Sequence, residues 1–217
     1  MSVVREEFGP TLPDVVGGRL GVRPRTVWLA LAAIGAVAVA VLAWLALRPT
    51  PNQSGVVVHD PVAYNLIYPD TLRRVAPRSG ETLRLQSRSG APQSFVVHRL
   101  RLAPYKGDVS AALTFLSSSL IDEMRGQYQD FVWRGDGRVN INKQPGYQII
   151  FQARVDGRTT YGRRVLLVAK PDPPPHEGVD MTILAARSPS VPNLDSVGAT
   201  GALKTAYRSF RFGTDRP

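Results

Sequence analysis

Between Thr26 and Leu47 the chain carries no charged side chain. As a helix, that run would reach about 33 Å at ~1.5 Å per residue, enough to cross a hydrocarbon core of about 30 Å. Trp28 and Trp44 stand near its ends, where interfacial aromatic rings collect. It is apolar all round, whereas a helix covering a soluble core keeps a polar face. It also exceeds the apolar core of a secretory leader, about 7–15 residues, although Ala36-Val37-Ala38 and Ala38-Val39-Ala40 offer small-x-small cleavage sites. The sequence therefore predicts a single-pass transmembrane helix over 26–47 that stays attached, with a cleaved leader as the alternative. Arg19, Arg23 and Arg25 crowd one flank, while on the other Arg48 stands alone until Arg73. Basic residues gather on the cytoplasmic side. The expected topology puts the N-terminus in the cytoplasm and the remainder outside the plasma membrane, with Arg23, Arg25, Trp28 and Trp44 at the membrane interfaces.

The flanking segments set the remaining boundaries. Residues 1–25 mix Pro and Gly with little periodicity and are expected to form a disordered cytoplasmic tail. Its "EEFGPTLPDVV" stretch reads as solvated tail or as a short docking motif. Residues 48–61 read as a linker, since Pro49, Pro51 and Gly55 argue against regular structure. Asn52-Gln53-Ser54 fits a glycosylation sequon, a weak match in any sequence. A folded domain is expected over 62–213. The chain has 27 Lys+Arg against 17 Asp+Glu, a formal charge of +10, and no cysteine. Disulfides, thiol chemistry, Cys-ligated metals and a lipid-modified cysteine are thereby excluded. The basic balance persists beyond the apolar run and fits an anionic partner without saying anything about fold.

Within the domain the periodicity is readable. "AYNLIYP" is a short strand. "TLRLQSR" and "QSFVVHRLRL" form a hairpin across "SGAP". Keeping the leucines on one face opposes Leu85 to Val96 and Leu83 to His98, together with Leu100 and Leu102. Arg84 and Arg88 then share the other face with Phe95, Val97, Arg99 and Arg101. Asp108 opens a helix to Tyr128 whose stripe is Val109, Ala112, Leu113, Leu116, Leu120, Met124 and Tyr128. Five strand-like runs follow, with a tight turn at Asp156-Gly157 and a shared face of Tyr147, Ile149, Phe151, Ala153 and Val155. A second helix is expected over Leu194–Tyr207, weakened by Gly198 and Gly201. The fold class is α+β: an antiparallel sheet covered by helices.

Tyr68-Pro69, Pro145-Gly146-Tyr147, Gly162 and the closing Ser209-Phe210-Arg211-Phe212 occur in an order that resembles the PsbP-like fold. That superfamily includes extrinsic proteins of the oxygen-evolving complex, a Ran-binding nuclear-import factor and LpqN-type actinobacterial lipoproteins. The resemblance covers about 62–213. It departs from the pattern at Thr71-Leu72, where an aromatic is often found, and in having an apolar helix where the lipoproteins have a lipidated cysteine. It implies an α/β/α sandwich that serves as a binding scaffold rather than an enzyme, and it carries over no functional residue.

The chemistry-bearing residues agree with that implication. His59, His98 and His176 make no spaced ligand pair, and no GxSxG, P-loop or GxGxxG pattern is present. On the register above His98 is a satisfied core histidine. Asp122 and Glu123 are sequence neighbours on a helix flank and do not face each other. His176-Glu177 is a minor candidate for metal contact. Arg73, Arg74, Arg78, Arg84, Arg88, Arg99 and Arg101 share the stretch 73–101 with one acid, Glu81. They read either as a solvated face or as a patch for a partner, with Arg84, Arg88, Arg99 and Arg101 as the candidate contacts. The expectation is a membrane-tethered extracytoplasmic binding or assembly module, not an enzyme. It takes no cofactor or metal, has a protein or anionic envelope partner, and has no nucleic-acid partner because the domain lies outside. The alternatives are an envelope-surface protein that contacts anionic lipid or wall polymer, and an extracytoplasmic hydrolase.

Overall fold

The computed structural model describes residues 24–46, 52–104, 108–169 and 176–215, with side chains omitted at 24–27, 45–46 and 110. The tail 1–23, which holds Arg23 and the candidate docking motif, lies outside the described residues, as does most of the Pro-rich segment before His176. The side chain of Arg25 does too. The chain divides into two units, Met1–Thr50 and Pro51–Pro217.

The first unit contains one helix, α1 (Pro24–Ala46). From Trp28 to Trp44 its side chains are exposed all round. Among the described residues, no helix is long and apolar enough to cross a membrane.

The second unit is built on a seven-stranded antiparallel sheet in the order β3-β4-β5-β9-β8-β7-β6. Its strands are β3 (Leu72–Val75), β4 (Glu81–Ser87), β5 (Gln93–Arg101), β6 (Gln129–Ile141), β7 (Gln144–Val155), β8 (Arg158–Val168) and β9 (Glu177–Ala186). The helix α2 (Val109–Gln127) lies over β6 and β7 on one face. On the other face sit a three-stranded sheet of β1 (Gln53–Val58), β2 (Tyr64–Pro69) and β10 (Arg211–Phe212), and the helix α3 (Gly201–Ser209). This is the α+β architecture of antiparallel sheets and helices expected from the sequence.

Both faces of the large sheet are therefore buried over much of their area, and the sheet has a core on each side. The α2 side gathers Leu113, Leu120 and Met124 with Tyr147, Ile149, Phe151, Ala153 and Leu166, following the expected stripe and shared face. The other core joins Leu83, Leu85, Phe95, Val97, Met181 and Ile183 to Tyr64, Leu66, Leu203 and Phe210. The closing Ser209-Phe210-Arg211-Phe212 locks this layer. The Ser209 hydroxyl bonds both the N–H and the carbonyl of Ile67, at 2.9 and 3.0 Å. Phe210 stacks on Tyr64 at 5.2 Å, and Asn142 Nδ2 donates to the carbonyls of Arg208 and Phe210. Leu72 is fully buried. Glycine is required at Gly162, where a Cβ would stand 2.2 Å from the Phe151 ring. Tyr128 and Phe131, each with its ring centroid 5.4 Å away, hold that ring in place.

Three expectations are corrected. The linker 48–61 contains β1, which pairs with β2 from Gln53↔Pro69 to Val58↔Tyr64, so the domain begins earlier than 62. Gly55 sits within an edge strand, where its missing side chain is tolerated. The hairpin register is shifted by one: Leu85 opposes Phe95 and Leu83 opposes Val97, with a bulge between Glu81 and Leu83. The leucines were grouped as though one face alone were apolar. In fact Leu83 and Leu85 feed one core, and Leu100 and Leu102 feed the other. Lastly, the second helix is broken. A 3-10 turn at Leu194–Ser196 is separated from α3 by a loop through Gly198, and α3 opens on Gly201; both glycines lie in the left-handed region, at φ 73° and 67°.

Candidate functional site

Because α2 lies mainly over β6 and β7, much of the same face of β4, β5, β9 and β8 is left without a helix. A groove of about 1100 Å³ lies there. The register aligns its floor in rows across the four strands. One row is Gln86–Ser94–Leu184–Gly162, the next Arg84–Val96–Thr182–Arg164, and β5, β9 and β8 continue with His98–Asp180–Leu166. At the β8 end of the first row the Phe151 ring from β7 covers Gly162. Glu123, Gln127 and Tyr128, at the C-terminal end of α2, border the groove.

The floor is polar and internally bonded. Arg164 donates through Nε and Nη2 to both oxygens of Asp180 at 2.7–3.0 Å, and their side chains are 13% and 8% exposed. Burial alone would pull the Arg164 pKa down; the Asp180 bonds outweigh it, and the guanidinium is held above its ordinary value. At one end Glu81 accepts from Arg84 Nε at 2.8 Å and from the Arg78 N–H at 2.9 Å. Chiefly through the Arg84 bond, the Glu81 carboxyl is held below its usual range. Burial pushes the Tyr128 hydroxyl up. At the opposite end Arg88 and Arg158 are exposed beside the groove and make no ion pair among the described residues. Arg88 Nε reaches only the Leu72 carbonyl, at 3.4 Å.

The structure thus separates the four arginines grouped by sequence. Arg84 and Arg88 occupy groove-side positions. Arg99 and Arg101 alternate along β5 with Val96, His98 and Leu100; Arg99 still borders the groove, paired with Glu177, while Arg101 lies beside Ala112 and Phe115 of α2. His98 is half-buried in the groove rather than in a core, with Nδ1 3.2 Å from the Gly80 carbonyl. His176 is buried, and among the described residues no three His, Cys, Asp or Glu side chains gather as metal ligands would. Sequence reasoning missed Arg164, Asp180, Thr182 and Arg158. The usable signal was the strict alternation in β9: Asp180 and Thr182 are polar positions inside an otherwise apolar strand, which a sheet buried on both faces does not produce by chance.

The sequence matches no protein-family model and no curated protein. The structure is similar to that of LpqN involved in cell envelope biogenesis of Mycobacterium tuberculosis, with a TM-score of 0.52 and 12% identity over 74% of this chain and 90% of that one. It also matches the cyanobacterial PsbP, CyanoP, from Synechocystis sp. PCC 6803, with a TM-score of 0.49 and 11% identity over 77% and 96% of the two chains. At that identity the likeness to LpqN speaks for the fold alone, and the fold is the PsbP-like one that the sequence motifs implied.

Proposed function

We propose that the domain from Gln53 onward is a non-catalytic binding module of the cell envelope, tethered to the membrane by α1, and that it receives its partner in the groove of β4, β5, β9 and β8. The observation that carries this reading is the groove itself. A two-face-buried sheet leaves a large polar recess on the half that α2 does not cover, with a pre-bonded floor and, at its mouth, Arg88 and Arg158, which make no ion pair among the described residues. A floor whose charges are already matched offers donors and acceptors to a partner without leaving a buried charge to neutralise. The tether is supported by α1, whose apolar side chains are exposed on every side and call for lipid cover. Tethering also raises the local concentration of a binding module near membrane-associated partners. The LpqN likeness supports an envelope setting by analogy.

The test is co-purification from mild-detergent extracts of the full-length chain, comparing the parent with Ser94→Trp, which fills the floor. Loss of a stoichiometric partner from the variant, with unchanged melting, is the expected result. Equal recovery from both proteins would place binding elsewhere.

A further inference from the structure

We infer that the groove of β4, β5, β9 and β8 takes an uncharged oligosaccharide. This rests on the groove reading proposed above and names the chemical class of its ligand. The charged groups of the floor are already satisfied. Arg164 and Asp180 bond each other, as do Arg84 and Glu81, and Arg99 is matched by Glu177. The lining arginines without an ion pair among the described residues, Arg78, Arg88 and Arg158, are exposed at the two ends. Glu123 and Asp156, also exposed, line the groove as well. An anion that reaches the floor must stand beside a carboxylate or displace it from its guanidinium, and a cation meets the converse.

The neutral groups are in the opposite condition. Gln86, Ser94, Thr182 and Tyr128 are half-buried in the groove, and none of their side chains hydrogen-bonds another described residue. His98 uses only Nδ1, 3.2 Å from the Gly80 carbonyl. A carbonyl only accepts, so Nδ1 carries the hydrogen and Nε2 is left to bond. Hydroxyls and carboxamides both donate and accept, which is what the hydroxyls of a sugar do in return. Their placement sets the length of the ligand. Ser94 faces Gln86, Thr182 lies one row on, opposite Val96, and His98 one row further, opposite Asp180. Successive rows are about 7 Å apart at ~3.4 Å per residue, so the free groups extend over about 14 Å, more than one sugar ring covers. A groove of about 1100 Å³ agrees with several rings in line.

A glycan fits this surface better than a peptide does. An extended peptide gains affinity by pairing its main chain with a free strand edge, or by seating aromatic and aliphatic anchors in apolar pockets. All four strands of the groove have neighbours on both sides, so their main chain is committed to the sheet. The apolar side chains of the floor that line the groove are Val96, 6% exposed, and Leu184, half-buried. Neither forms a pocket for an anchor, and both suit the C–H face of a sugar ring.

The experiment titrates the full-length chain by calorimetry in lauryldimethylamine oxide, a detergent without a sugar headgroup. The probes are cellotetraose, chitotetraose and mannotetraose, with tetragalacturonate as the anionic counterpart. At least one neutral tetrasaccharide should bind, with an affinity that raised salt leaves unchanged. The triple variant Ser94→Ala, Thr182→Val, Tyr128→Phe should bind it about tenfold more weakly, and Ser94→Ala alone, the mildest change, about threefold. Salt-sensitive preference for tetragalacturonate overturns the inference, as does neutral-sugar binding that both variants leave at parental strength. If no sugar binds while Ser94→Trp still loses a protein partner, the ligand class is wrong and the groove reading stands. If no sugar binds and Ser94→Trp loses nothing, both fall.

Discussion

Arg164→Met is the sharpest perturbation of the groove. It leaves the Asp180 carboxylate, 8% exposed, without the guanidinium that holds both its oxygens. Removing one partner of a buried pair costs about 3–5 kcal/mol, since the surviving charge is left desolvated. The groove is open to water along its length, which puts the expected loss near the lower end, about 3 kcal/mol. In a domain of this size each kcal/mol moves Tm by roughly 2–4 °C, so the full-length protein in detergent should melt about 6–12 °C lower by circular dichroism. Asp180→Leu should cost a similar amount by stranding the guanidinium. The double variant Arg164→Met/Asp180→Leu removes both charges and should return to within about 1 kcal/mol of the parent. If either single variant melts like the parent, or if the double loses the sum of the singles, the two residues are not a mutually compensating buried pair and the floor is not pre-bonded.

Close backbone approach makes Gly178→Ala the most damaging small change: its Cβ would stand 1.9 Å from the Leu167 carbonyl oxygen, and yields of folded protein should collapse. Gly162→Ala meets only the Phe151 ring, so its melting loss should be partly reversed by adding Phe151→Leu. Leu113→Asp puts a carboxylate under α2 at a site 3% exposed and should cost several kcal/mol; melting like the parent would mean that α2 does not pack as described. Burial pushes the Tyr64 hydroxyl up to about 12, so it stays neutral in the fold. The stability this contributes is complete below the unfolded value near 10 and is lost as pH rises from about 10 through 12. Tyr64→Phe should flatten that part of the urea-midpoint profile, and an unchanged slope would contradict the assignment.

The helix stripe of α2, the Tyr147–Ala153 face and the Asp156-Gly157 turn were legible in the sequence because each is a local pattern read against one core. At that turn φ is 48° and 73°, as a tight two-residue hairpin requires. The β4–β5 register was not legible. Leu83 and Leu100 serve different cores, so collecting leucines on one face gives the wrong pairing. β1 was hidden because its partner β2 supplies the reason for it to be a strand, and Gly55 within it weighs against a strand read in isolation. The groove was half legible. Arg84 and Arg88 were found from charge density. Arg164, Asp180 and Thr182 come from strands far away in sequence and meet only because β9 sits between β5 and β8.

The central claim is that the groove, and not simply a basic surface, receives the partner. A photo-crosslinking residue placed at Thr182 on the groove floor, or at exposed Lys204 on α3 behind the sheet, tests it directly in intact cells. A discrete crosslinked species from position 182 and none from 204 is the predicted result. The same species from both positions, or from 204 alone, would contradict it.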